Sequence, residues 1–282
     1  MKETIKIEKS QEILSLATGI SFSCVPCWYN GTVKDLKMDL IIPKWRQNHA
    51  ACPAIVWICG GAYMVVDRSI WMPQLIDYAK AGYVVASVEY RTSNESQFPA
   101  QLVDVKAAIR FLKAHAKEFC VDPERIAVMG ESAGGALASL VGSTAEYGEF
   151  EQGSNLEYDS SVRGVVNFYG PAILEEGGCG TNEDVPDWTW RAYLGANYTR
   201  SDLERANAYT YLSNQAPPFL LLHGTEDPVV PVELSRRFYE MLQEYNIDVD
   251  LVEIEGAGHG DDLLYQSQVV ERVLQFLKRI GV

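Results

Sequence analysis

Between residues 36 and 280, short near-continuous apolar runs alternate with segments of helical period. A strand that faces water on one side alternates apolar and polar residues, whereas one buried on both faces does not need to. Residues 54–58 (Ala-Ile-Val-Trp-Ile) and 83–88 (Tyr-Val-Val-Ala-Ser-Val) are of the second kind. Strands of that kind, separated by helices, belong to an α/β fold with a mostly parallel central sheet covered by helices on both faces. Residues 36–42 alternate like an early strand, and 125–129, 164–169, 219–222 and 249–254 read as further strands. Residues 100–119 place Val105, Ala108, Leu112, Ala116 and Phe119 on one stripe and predict a helix, broken by Asp122-Pro123. Helices are also expected over 133–142 and over 261–280, where Val270, Val273, Leu277 and Ile280 form the apolar face.

The stretch 171–218 breaks the rhythm with Gly177-Gly178, acidic residues around Asp184, Trp188 and Trp190, then helical character over 200–206. It is too short for a domain of its own. The expectation is a single domain over 1–282, with an insertion at about 171–218 over the active site.

Composition excludes several classes. Lys+Arg 24 against Asp+Glu 38 gives a formal charge of −14, which argues against nucleic acid and anionic membrane as partners, since both need clustered cations. A hydrophobic content of 47% excludes a disordered chain. The N-terminal residues lack the apolar core of a secretory signal and no stretch is long enough to span a membrane, so a cytoplasmic protein is expected. Of the six cysteines, Cys24 and Cys27 have CxxC spacing without a second pair, and all six (with Cys52, Cys59, Cys120 and Cys179) are read as reduced thiols. No metal cluster and no cofactor fingerprint is present. Self-association is left open.

Gly130-Glu131-Ser132-Ala133-Gly134-Gly135 lies between a predicted strand and a predicted helix. A serine hydroxyl is a weak nucleophile unless it is exposed beside a base. A strand-to-helix turn presents it so, and its cramped backbone explains the flanking glycines. A serine capping a glycine-packed helix would produce the same letters; the strand before it separates the two readings. Upstream, the strand 55–58 stops in Cys59-Gly60-Gly61-Ala62-Tyr63, a loop whose backbone N–H groups can turn to a ligand. It matches neither the dinucleotide nor the P-loop phosphate fingerprint.

Four histidines compete for the base. His49 lies in a polar loop and His115 is expected mid-helix, while His223 ends a strand and His259 sits among Gly256, Gly258 and Gly260. With Asp227 after the penultimate strand, the order Ser132, Asp227, His259 is that of α/β-hydrolases. His223 precedes every such acid and is given a packing role. Glu226 and Asp261 are rivals to Asp227, which is preferred because Asp227-Pro228 fixes the turn that aims it. The backbone N–H groups of Gly61 or Ala62 and of Ala133 are the expected oxyanion donors.

Together with Glu89-Tyr90-Arg91, Phe98-Pro99-Ala100-Gln101, Asp122-Pro123-Glu124-Arg125-Ile126 and Phe168-Tyr169-Gly170-Pro171, these motifs stand in an order that resembles the α/β-hydrolase esterases near the hormone-sensitive-lipase group. Within that group the chain is similar to the bacterial carbohydrate esterases that include acetyl xylan and feruloyl esterases. The resemblance spans about residues 36–280 and implies nucleophile Ser132, acid Asp227, base His259 and oxyanion donors at Gly61, Ala62 and Ala133. Two departures stand out: Cys59 and Ala62 occupy positions where such proteins usually carry His and often Gly, and Glu131 replaces a common Asp. The long N-terminal cap helices of lipolytic relatives have no counterpart in the sequence, which fits a polar or oligomeric substrate.

The expected activity is hydrolysis of short-chain acyl (acetyl) esters, of carbohydrates such as xylo-oligosaccharides, through an acyl-enzyme. Tyr63, Trp71, Trp188 and Trp190 are candidate pocket walls. Feruloyl esterase and arylformamidase or exopeptidase activity are the alternatives, and a non-catalytic hydrolase-fold binding protein is the different class.

Overall fold

In the computed structural model, residues 2–8, 13–27, 32–43, 51–176 and 188–282 are described. Eight strands form one sheet: β1 (Leu14–Pro26), β2 (Val33–Pro43), β3 (Cys52–Ile58), β4 (Val84–Val88), β5 (Val121–Glu131), β6 (Gly164–Phe168), β7 (Phe219–Gly224) and β8 (Val249–Ile254). Their spatial order is β1-β2-β4-β3-β5-β6-β7-β8. The pairs β1–β2 and β2–β4 are antiparallel, and every other pair is parallel. The apolar runs are the central strands, and β4, β6 and β7 are buried along their whole length. This is an α/β-hydrolase fold.

The described helices are α1 (Met72–Lys80), α2 (Ala100–Ala114), α3 (Ala133–Ser143), α4 (Trp188–Leu194), α5 (Arg200–Arg205), α6 (Val232–Glu244) and α7 (Ser267–Arg279). On one face of the sheet α2, α3 and α6 bury residues such as Leu102, Val105, Leu137, Val141 and Phe238; on the other, α1 and α7 bury Leu75, Tyr78, Val273 and Leu277. Each large apolar side chain so covered stabilises the fold by about 1.5–3 kcal/mol. No described helix is long and apolar enough to cross a membrane.

Chain direction across the sheet reverses at β3, which lies between β4 and β5. Ligand sites of doubly wound sheets form at such a switch point, outside the carboxyl ends of the strands. Here Ile58 stands opposite Gly130 in the β3–β5 register, so the loop after β3 and the turn after β5 leave the sheet side by side.

Several elements differ from the sequence-based expectation. β1 precedes the first strand that the sequence suggested; its alternation is broken by register shifts between Ala17 and Ile20 and between Ser21 and Ser23. α2 stops at Ala114, and His115 caps its end instead of lying mid-helix. Asp122-Pro123 falls inside the first residues of β5, where a register shift between Cys52 and Ala54 absorbs it. The closing helix begins at Ser267, after a short 3-10 turn over Asp262–Tyr265 capped by the Asp261 carboxylate. Within 171–218, Trp190, Tyr193 and Leu203 join the same core as α2 and α3. Gly177-Gly178, Cys179 and Asp184, like His49, lie outside the described residues.

Candidate active site

β5 ends at Glu131 and α3 begins at Ala133, leaving Ser132 alone at the turn with φ 52° and ψ −124°. A non-glycine residue held there costs of the order of 1–3 kcal/mol and persists only where its surroundings fix it. Ser132 N donates to Phe168 O at 2.9 Å, and Ser132 O accepts from Ala136 N at 3.1 Å. The neighbouring glycines answer to close packing: a Cβ on Gly130 would stand 2.4 Å from Gly134 O, and one on Gly134 would stand 2.0 Å from Ile58 O. Only without those side chains can α3 start against the ends of β3 and β5.

The loop after β3 turns through three consecutive left-handed residues, Gly61 (φ 123°), Ala62 (φ 52°) and Tyr63 (φ 61°). Met64 N and Val65 N both donate to Gly61 O, closing the turn. The N–H groups of Gly61, Ala62 and Ala133 donate to no described residue. Ala133 is the first residue of α3, where an N–H has no intrahelical acceptor and the helix dipole favours negative charge. A tetrahedral oxyanion bound at Ser132 is the species such donors suit.

His259 bridges the other two residues. Its Nε2 lies 3.0 Å from Ser132 Oγ and its Nδ1 2.7 Å from Asp227 Oδ2. With the proton on Nδ1, Nε2 is free to accept from the serine hydroxyl. Asp227 Oδ1 accepts from Val229 N and Val230 N, both at 2.8 Å, which is the turn that Asp227-Pro228 promised. Burial pushes the Asp227 carboxyl up, but hydrogen bonds from His223, His259 and Val230 N outweigh it and hold the group well below the ordinary carboxylate range. Neither rival reaches the base among the described residues: Asp261 accepts from Leu263 N at 2.8 Å, and Glu226 contributes its N–H to Ala257 O.

Two further residues bear on the acid and on His259. His223, fully buried, places Nε2 3.3 Å from Asp227 Oδ2 and 2.8 Å from Val230 O, while its Nδ1 lies 2.7 Å from Ser235 Oγ. It packs below the site as expected, and in addition steadies the acid. Tyr169 sets its ring edge-on to His259 at 4.8 Å.

Of the four proposed pocket aromatics, two require correction. Tyr63 and Trp190 are each only 2% exposed. Tyr63 stacks on Tyr193 at 3.9 Å, and the Trp190 indole donates to Glu175 O, so both brace the loop from within the core and offer no open ring face. Trp71 is half-buried with one face on Tyr265 at 4.3 Å; Trp188 alone is exposed.

Cys59, standing where a histidine is usual in the resembling family, still braces the loop: its carbonyl accepts from Tyr90 Oη at 2.8 Å. Burial first, then the charge of Glu131, pushes its thiol up to about 12, so it stays a neutral, inert side chain. Cys24, Cys27 and Cys120 are free thiols as well. Among the described residues no cluster of His, Cys, Asp or Glu could hold a metal.

Comparison with known proteins places this geometry. The family model BD-FAE matches residues 38–242. Esterase LipC of Mycobacterium tuberculosis is 32% identical over 231 residues, which are 79% of this chain and 57% of LipC. The chain thus spans a little over half the length of such curated relatives. Among solved structures, an esterase from Thermogutta terrifontis with butyrate bound superposes with a TM-score of 0.74 at 29% identity, covering 88% of this chain and 90% of that one. An acetyl ester-xyloside bifunctional hydrolase from Caldicellulosiruptor lactoaceticus superposes with a TM-score of 0.77 at 25% identity, covering 93% and 98%. With the family model spanning most of the sheet, the loop after β3, the Ser132 turn and Asp227, the chain belongs to the BD-FAE family of α/β-hydrolases.

Proposed function

We propose that the chain is a serine carboxylic ester hydrolase that removes short acyl groups, acetyl foremost, from carbohydrates such as xylo-oligosaccharides. The observation that carries this is the hydrogen-bonded series Asp227–His259–Ser132 beside three backbone N–H groups that no described residue occupies. The acyl and sugar preferences draw on the relatives: one solved neighbour holds butyrate, another is an acetyl ester-xyloside hydrolase. Residues 14–26 forming an edge strand, and not helices packed over the serine, also agrees with a site open to a polar substrate.

His259 Nε2 takes the Ser132 proton as Oγ attacks the ester carbonyl. Asp227 keeps the imidazole in the required tautomer and stabilises the imidazolium without taking the proton itself. The N–H groups of Gly61, Ala62 and Ala133 bind the developing oxyanion, each such donor being worth about 100- to 1,000-fold in rate. His259 then protonates the leaving alcohol, the acyl group stays on Ser132, and water activated by the same imidazole releases the acid.

The test is a p-nitrophenyl ester series from acetate to octanoate, run beside acetylated xylo-oligosaccharides, methyl ferulate and an N-formyl aryl amide. Acetate should be cleaved fastest among the acyl chains and the oligosaccharides should lose acetate. Octanoate turnover above acetate with untouched oligosaccharides would sink the carbohydrate reading. A Ser132→Ala protein that keeps the parent rate would sink the esterase reading altogether.

A further inference from the structure

Glu131 precedes the nucleophile, is 7% exposed, and has no task in the mechanism above. Its side chain turns back under the oxyanion loop. Oε1 accepts from Gly60 N, from Trp71 Nε1 at 3.1 Å and from the Cys59 thiol at 3.8 Å. The Tyr169 hydroxyl is hydrogen-bonded to that of Tyr265. Three donors converging on one buried carboxyl suit its ionised form. The carboxylate also explains Gly60, since a Cβ there would lie 2.5 Å from Oε1 and 2.6 Å from Oε2. One buried charge therefore occupies the floor of the loop and claims the N–H immediately before the oxyanion donors.

We propose that Glu131 is a positioning residue: it anchors the oxyanion loop through Gly60, leaving the Gly61 and Ala62 N–H groups for substrate. Burial lifts the Glu131 carboxyl above its ordinary range, and the Gly60 and Trp71 hydrogen bonds with the His259 charge draw it back only in part. A carboxylate kept at that cost beside a nucleophile is the pattern of a group retained for function.

The inference rests on Ser132, Asp227 and His259 being the triad, and the test separates the two. Steady-state rates on p-nitrophenyl acetate are measured for the parent, Glu131→Gln, Glu131→Asp and Ser132→Ala, with a melting curve for each. Glu131→Gln should lower kcat and kcat/KM together by about 10- to 100-fold at nearly unchanged KM, the scale of a small misplacement of reacting groups. Glu131→Asp, which draws the carboxylate back by one methylene, should lose less in the same pattern. A merely structural role predicts a lower melting temperature with the parent's kcat in the folded protein, and that result overturns the proposal. If Glu131→Gln does not fold, the parent's kcat in folded Glu131→Asp overturns it equally. Activity surviving in Ser132→Ala would instead remove the triad reading and leave the Glu131 contacts unexplained.

Discussion

Asp227 commits each oxygen twice, Oδ1 to the N–H groups of Val229 and Val230 and Oδ2 to the imidazoles of His259 and His223. His259 reaches Ser132 as well as Asp227, while His223 reaches only the acid of the three. His223→Leu should therefore leave Ser235 Oγ without its partner and Asp227 with one donor fewer, in a fully buried setting. The expected cost is about 1–3 kcal/mol of stability, the penalty for an unmet buried polar group. Activity should fall far less than in Asp227→Asn, for which loss of the correct tautomer sets a scale of about 10,000-fold in kcat. Melting curves and steady-state kinetics on the two variants check this, and equal losses would make His223 part of the proton path. Ser132, Asp227 and His259 were legible in the sequence because each carries a local marker: flanking glycines, a following proline, a glycine-rich loop. Glu131, Tyr169, His223 and Ser235 acquire their roles through contacts with residues distant in the chain, and nothing adjacent to them marks that. Tyr63 and Trp190 misled for the converse reason, since an aromatic beside a motif is equally able to pack beneath it.

Among the elements, α2 is the one whose composition least suits its place. It buries Lys106 and Arg110 completely, and both reach Glu151: Lys106 Nζ at 2.7 Å, and Arg110 through Nη1. Carbonyls of Thr144, Gln152 and Ser154 complete the cations' hydrogen bonds, so the segment after α3 is fastened to α2 by charge as well as by Phe150. Breaking one side of such a network strands buried charge. Glu151→Ala should cost about 3 kcal/mol, at the low end of the usual range because the carbonyls remain. For a chain of this size that corresponds to roughly 6–12 °C in melting temperature, with turnover at permissive temperature nearly unchanged. A melting curve that overlays the parent would show that the carbonyls alone suffice. The central strands and α2, α3 and α7 were readable because burial imposes a simple period on them. β1 was not, since its bulges break the alternation and Leu16 faces solvent at 62% exposure. α1 and α6 carried signals that could have been read: Pro73 at the start of the first, and Leu234, Phe238 and Leu242 along one face of the second.

For the molecule as a whole, the charge of −14 and the depressed carboxylates pull stability in opposite directions as pH falls. Asp227 lies well below its ordinary range; burial pushes Asp159 up, but hydrogen bonds from Lys113 and Ser161 hold it at about 2. Glu151 and Glu95 are lowered too, their bonds to Lys106 and Lys34 outweighing burial. A carboxyl whose folded pKa is depressed gives stability that is complete above its unfolded value, near 4, and is lost as pH falls through the folded value. Asp104 and Glu131, raised by burial, act with the reverse sign, but they are fewer. Self-repulsion acts earlier, because net charge approaches zero near the sequence pI of 4.8. The melting temperature at fixed ionic strength should hence hold or rise from pH 8 to about 5 as repulsion fades. Below about pH 4 it should fall as the paired carboxylates take protons that the unfolded chain already binds. Thermal melts from pH 3 to 8 decide the matter: a melting temperature still climbing at pH 3, where the chain is net positive and repulsion grows again, would mean that the buried, raised carboxyls outweigh the ion pairs.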